Sequence, residues 1–308
     1  MQPSTIATDQ SWPALLSAQW DDTRATLHLW TQVVGKIRLR YSPPANHWWQ
    51  VPLYVTCRGL TSSPIPYGDR TFQIDFDFCA QQMHFSTSSG QNTSFDLVPM
   101  TVAMFYSKTV DVLHSLGIDI DIWTTPVEIP DSIPFEQDRT HGSYDGEFAK
   151  RFWRVLVQSD RVMKEFQSGF LGKQSPVHFF WGSFDLAVTR FSGRAAPEHG
   201  PVPNTPLHVV REAYSHEVNS VGFWPGAGDF DPVYYAYMYP EPDGYSAAPI
   251  LPSEAFYSHE MRESFLPYEV VRTAADPRAT LLEFFQSTYD AGANLASWDR
   301  GALERNRR

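Results

Sequence analysis

The sequence predicts an α+β protein made of two similar halves, each an antiparallel sheet with packed helices. Three observations carry that expectation. Period-2 alternation of apolar and polar residues, the mark of half-buried strands, recurs on both sides of residue 125. Amphipathic runs at helical spacing open and close each half. A proline-rich run, TTPVEIPDSIPFEQD, lies between them and sets the expected division, 1–125 and 126–308, which can still pack as one compact unit.

In chain order, a short polar leader precedes a helix over Asp22–Val34, where Leu27, Trp30 and Val34 share a stripe and Gly35 suits the C′ position. A strand is expected over Lys36–Tyr41, stopped by Pro43-Pro44. His47 to Gly59 alternates as a second strand, with Pro52 marking an edge or bulge. Phe72–Cys79, Met83–Thr87 and Phe95–Val98 read as an antiparallel meander, and Thr101–Leu116 as a helix ended by Gly117. The second half opens on the longest expected helix, Asp145 to Phe170. There follows SPVHFFWGSFDLAVTRFSG, Ser175–Gly193, in which Gly182 is the natural place for a bulge or bend and leaves open which face each end presents. Gly193–Pro206 reads as a long loop, three further extended stretches follow, and Asp276-Pro277 is an N-cap and N1 pair starting the last helix.

The halves share an order of helix, proline-containing turn, His-aromatic-aromatic strand, further strands and closing helix. SPPANHWWQVPLYVTCRG aligns with QSPVHFFWGSFDLAVTRFSG, matching His47 to His178 and Arg58 to Arg190. Internal duplication is one reading of that order, and coincidence in an aromatic-rich chain is the other.

Composition narrows the function classes. With 19% charged residues and a formal charge of −11 over 308 residues, the surface is acidic, which argues against nucleic acid or an anionic membrane as partner. Aromatics at 15% favour a heavily packed core or an apolar-walled pocket for a small-molecule ligand. Cys57 and Cys79 fall in strand-like runs and are expected as free buried thiols. The first residues lack a basic region and a continuous apolar run, and no stretch has transmembrane length, so a cytoplasmic protein is expected. Nothing in the sequence sets an oligomeric state or names a cofactor.

The stretches NHWWQVPLYVTCRGL, PYGDRTFQIDFDF, SPVHFFWGSFDLAVTRFSG, EAYSHEVNSVGFWPG and YPEP resemble a family of bacterial proteins known only as a domain of unknown function. The resemblance covers nearly the whole chain. It implies a bacterial, soluble, single-unit protein and brings no activity, cofactor or site residue with it.

The candidate residues therefore come from local chemistry alone. Nucleotide-binding glycine motifs, HExxH and GxSxG are all missing. His178 and His216 are candidate general acid/base groups, with Asp185 or Glu217 to orient them, because a buried carboxylate needs a partner and a His–carboxylate pair moves protons. Arg58 and Arg190 close apolar strands and either pair with acids such as Asp75 or Asp185 or hold an anionic ligand group. Tyr54, His47, Trp49 and Trp181 are candidate pocket walls and hydrogen-bonding groups. Three readings follow. The first is an enzyme acting on a small carboxylate-bearing molecule, and the second a non-catalytic small-molecule binder. The third is a Zn or Fe enzyme ligated by His47, His178, His216 and a carboxylate, although no metal ligand set is assigned from spacing.

Overall fold

The computed structural model of the chain describes residues 11–305; the first ten residues of the polar leader lie outside them. The fold is built around its first long helix, α1 (Asp21–Tyr41), buried at every position from Thr26 to Arg38. A helix covered on all sides is a core element rather than a surface one, so its polar side chains must find partners inside the protein. The expected end at Gly35 and the expected strand over Lys36–Tyr41 are both corrected here. Gly35 sits in mid-helix because the Trp181 ring lies on it, and a Cβ there would be 2.2 Å from Trp181 Cδ2. Close approach, not helix termination, accounts for that glycine.

The first sheet contains β1 (Tyr54–Val55), β2 (Gly59–Thr61), β3 (Ile65–Tyr67), β4 (Arg70–Asp77), β5 (Gln82–Thr87) and β6 (Asn92–Asp96). Its order is β1-β2-β4-β5-β6, with β3 also on β4, and every pairing is antiparallel. Phe72, Ile74, Phe76, Met83 and Phe85 form its buried face. Against that face packs α2 (Val102–Ser115), capped by the Thr101 side chain; its Phe105 stacks on Trp30 of α1 at 4.8 Å.

The continuous strand expected over His47–Gly59 does not form. Asn46–Trp48 is a 3₁₀ turn with His47 and Trp48 at φ of 57° and 61°, and the chain becomes extended only at Tyr54. Tertiary contacts override the alternation: His47 is held by carbonyls more than 160 residues away. Cys57 and Cys79 are free but exposed, because each falls in a turn flanking a strand rather than within one.

The second sheet contains β7 (His178–Phe180), β8 (Asp185–Ala195), β9 (His216–Trp224), β10 (Val233–Tyr239), β11 (Phe256–Ser258) and β12 (Glu263–Pro267) in the order β11-β12-β10-β9-β8-β7, all antiparallel. One face is backed by α3 (Gly146–Ser168) and α6 (Pro277–Leu295), which begin at the Asp145 and Asp276 caps. The shorter helices α4 (Leu207–Ala213), α5 (Tyr268–Thr273) and α7 (Arg300–Leu303) complete the α-helices among the described residues. Ser175–Gly193 is a hairpin rather than one strand. It turns at residues 181–184, with Phe184 at φ 64°, so His178 pairs with Ala187 and lies on the opposite face from Arg190.

The two sheets meet at a pair of backbone hydrogen bonds between Leu53 and Phe179, both 2.9 Å, and one hydrophobic cluster spans both halves. The halves share a helix–sheet–helix order, but the aligned histidines differ in conformation: His47 lies in a 3₁₀ turn and His178 opens a strand. No helix among the described residues is long and apolar enough to cross a membrane.

Candidate functional site

Cross-strand partners share a face, so the registers define the side of the second sheet that α3 and α6 leave open. It carries His178, Phe180, Asp185, Thr189, Ser220, Tyr235, Tyr237 and Glu263. In VYYAYMY of β10, the period-2 alternation sends Tyr234 and Met238 to the helices and the phenols of Tyr235 and Tyr237 to the open side. Gly222 makes room for one of them: a Cβ there would lie 2.2 Å from Tyr235 Cζ.

Asp185 is the anchor of this surface. It is 7% exposed, receives Ser183 Oγ–H at Oδ1 (2.6 Å) and a hydrogen bond from the Tyr235 hydroxyl at Oδ2. Burial raises its carboxyl, and the two hydrogen bonds oppose that rise. Burial also drives the Tyr235 phenol well above its ordinary range, which keeps it protonated and donating. Around Asp185 stand two further carboxyls. Glu128, brought in by the proline-rich run, is pushed up to about 7, first by burial and then by the Asp185 charge. Glu263 is pushed up to about 7 by the same two causes in the same order. Glu128 nevertheless keeps solvent access, and Tyr214, Tyr235, Tyr237 and Glu263 are only half-buried. These groups, crowded by protein yet partly exposed, form one patch on this side of the sheet, here called the recess. Tyr214 reaches it from beyond α4, its hydroxyl 3.2 Å from that of Tyr237.

Chemically, the recess gathers three carboxyls, Asp185 held by two hydroxyl donors and Glu128 and Glu263 raised by burial and by the Asp185 charge. Environments that separate the proton affinities of neighbouring carboxyls are how acid and base roles are divided in hydrolytic and isomerising sites.

Residues 12–305 match a family described as "Family of unknown function (DUF5996)". The chain belongs to that family. No curated protein and no solved structure matches it. The family therefore brings extent rather than chemistry, and the residues have to supply the function.

Apart from Asp185, the expected site residues divide into three groups. His178, Tyr54 and Trp49 are brought together, the imidazole 5.5 Å from the Tyr54 ring and 5.9 Å from that of Trp49. His178 is fully buried with neither ring nitrogen partnered. Burial first, and the nearby Arg38 cation second, lower it to about 3. It shares a sheet face with Asp185 but makes no hydrogen bond to it, since Asp185 is engaged by Tyr235 and Ser183.

His47 and His216 form a second cluster, 5.7 Å apart, with Trp49 between His47 and His178. His47 donates from Nδ1 to the Glu212 and Ala213 carbonyls, so its Nε2 accepts from Lys173 Nζ at 2.8 Å. Among the described residues, no three His, Cys, Asp or Glu side chains are grouped to hold a metal.

Arg58, Arg190, Glu217 and Trp181 lie apart from the recess. Arg58 is exposed and pairs with Asp77 at 2.5 Å. Arg190 is buried on the helix-backed face, where it donates to the Phe166 carbonyl and lies over Phe166 and Tyr289. Glu217 is held by Arg194 and Ser192. Trp181 lies on Gly35 and donates to the Val51 carbonyl at 2.8 Å.

Glu128, Glu263, Tyr235 and Tyr237 were not among the sequence candidates. The alternating phenols of β10 were a readable signal. Glu128, in an irregular proline-rich run, gave none. A separate surface depression of about 350 Å³, lined by Pro252, Glu254, Val270 and Thr280 among others, has none of these groups.

Proposed function

We propose that the chain is an enzyme acting on a small organic molecule bound in the recess on the open face of the second sheet, with Glu128 and Glu263 as proton-transfer groups on either side of Asp185. The supporting observation is a pair of solvent-reachable carboxyls poised near pH 7 around a buried, hydrogen-bonded carboxylate. Tyr214, Tyr235 and Tyr237 wall the recess and supply hydrogen bonds. Its charge favours a neutral, hydroxyl-rich or cationic substrate, in place of the carboxylate-bearing one expected when Arg58 and Arg190 were read as anion anchors. Free exposed cysteines accord with a reducing, cytoplasmic setting.

A screen of turnover and binding with the purified chain, over amines, polyhydroxylated neutral compounds and carboxylates, tests the proposal. The expected result is a turnover whose rate bends near pH 7 and falls at least about 100-fold in Glu128→Gln or Glu263→Gln. Undiminished rates in both variants would overturn it. Tight binding of a compound without turnover would favour the non-catalytic reading of the same recess.

A further inference from the structure

Glu128 reaches the recess by a route that no local sequence pattern sets. It sits at φ 59° in an irregular segment between α2 and α3, where a non-glycine residue with positive φ needs outside support. That support comes from α1. Gln32, fully buried, makes a two-way bond with the backbone of Val127: its Nε2 donates to the Val127 carbonyl and its Oε1 accepts the Val127 N–H, each at 2.9 Å. One turn earlier, His28 donates from Nε2 to the Gly182 carbonyl at 2.8 Å. Gln32 and His28 thus fix, from one helix, both the residue before Glu128 and the turn on which Glu128 rests.

The turn itself is shaped for that carboxyl. A Cβ built at Gly182 would lie 2.2 Å from Glu128 Oε1, 2.7 Å from Cδ and 3.2 Å from Oε2; all three of its nearest atoms belong to Glu128. Gly182 does not need glycine for its own backbone, since it is not among the positive-φ glycines. The missing side chain is explained by the space Glu128 takes. Gly222 under Tyr235 repeats the arrangement on the other side of Asp185.

We propose that Gly182 and Gln32 are positioning residues that seat the Glu128 carboxyl over the β7–β8 turn, beside Ser183 and Asp185. The inference rests on the assignment of Glu128 as a proton-transfer group for its purpose, but the seating is a matter of packing and stands on its own measurements. The titratable groups facing the seat are Asp185 on β8, His28 on α1 and Tyr214 after α4.

The test uses the full chain with carboxyl-labelled glutamate, the Glu128 resonance being assigned by its loss in Glu128→Gln. In the native chain the expected midpoint is about 7. In Gly182→Ala the carboxyl, as the movable end of the clash, is displaced toward water, and its midpoint falls by at least about one pH unit. Gln32→Leu frees Val127 and gives the same direction of shift. Gly200→Ala, where an added Cβ meets nothing within 4 Å, leaves it unchanged. Urea midpoints at pH 4, where the carboxyl is protonated in either position, give a second readout: Gly182→Ala lowers the midpoint in the native background and not in Glu128→Ala, where the clashing atoms are gone. An unmoved Glu128 titration in Gly182→Ala, or an equal loss in both backgrounds, would overturn the seating even if Gln32→Leu failed to fold. Full turnover in Glu128→Gln would instead remove the function and leave the seating intact.

Discussion

Asp185 shows how much one buried carboxylate requires of its neighbours. It stays inside the protein because Ser183 and Tyr235 each spend a hydroxyl proton on it, and both bonds are charge-assisted. Tyr235→Phe removes one donor and leaves a lone pair buried without a partner, which costs about 1–3 kcal/mol. Urea unfolding at pH 7 should show that loss, and an unchanged midpoint would mean that water replaces the phenol. Asp185 was recognisable from sequence as a charge inside an apolar run in need of a partner. The partner's identity was not, because Tyr235 lies 50 residues away and reaches it only through the register of three strands. The expected imidazole partner fails for the same reason: His178 shares the face, but the hairpin register sets it opposite Ala187.

Among the elements, α1 illustrates a contest between local preference and packing. Alanine is favoured over glycine in a helix interior by about 1 kcal/mol, so propensity alone predicts that Gly35→Ala stabilises the protein. The Trp181 ring occupies the space the new methyl needs, and its indole is tied to the Val51 carbonyl, so it cannot swing aside freely. Overpacking of that kind costs about 1–3 kcal/mol and should win, lowering the thermal midpoint. A raised midpoint would show that Trp181 yields. Helices with a clean apolar stripe and a capping residue, α2, α3 and α6, were legible to within a few residues. The end of α1 was misread because its glycine answers to a residue nearly 150 positions away. The stretch His47–Gly59 was misread because the Glu212 and Ala213 carbonyls hold His47 in a turn.

At the scale of the whole molecule, two sets of groups oppose each other in pH dependence. His28 and His178 are lowered by burial to about 4 and about 3 from an ordinary 6.5. Each contributes fully above pH 6.5, and its contribution is lost as pH falls toward the folded value, because the unfolded chain gains a proton the folded one refuses. Glu128 and Glu263, raised from 4.5 to about 7, act the other way. Their effect is absent below pH 4.5 and becomes a penalty as pH rises through 7, since the unfolded chain ionises first. His178→Phe should therefore be more stable than the native chain, by a margin that widens by about 2–3 kcal/mol between pH 7.5 and pH 4.5. Glu263→Gln should match the native chain near pH 4 and exceed it near pH 8. Parallel margins at all pH values would show that these groups are not held as buried.

What the sequence determined by itself was the class of fold: alternation and helical spacing are properties of neighbouring residues, and burial of one face follows from them. It also marked Asp185 and His178 as polar groups in apolar surroundings. Which groups meet was decided only in three dimensions. A strand register, a helix buried on all sides and two glycines left bare for other side chains bring Glu128, Asp185 and Glu263 together from segments more than 50 residues apart. Convergence of that kind depends on how elements stack, and the identity of adjacent residues does not encode it.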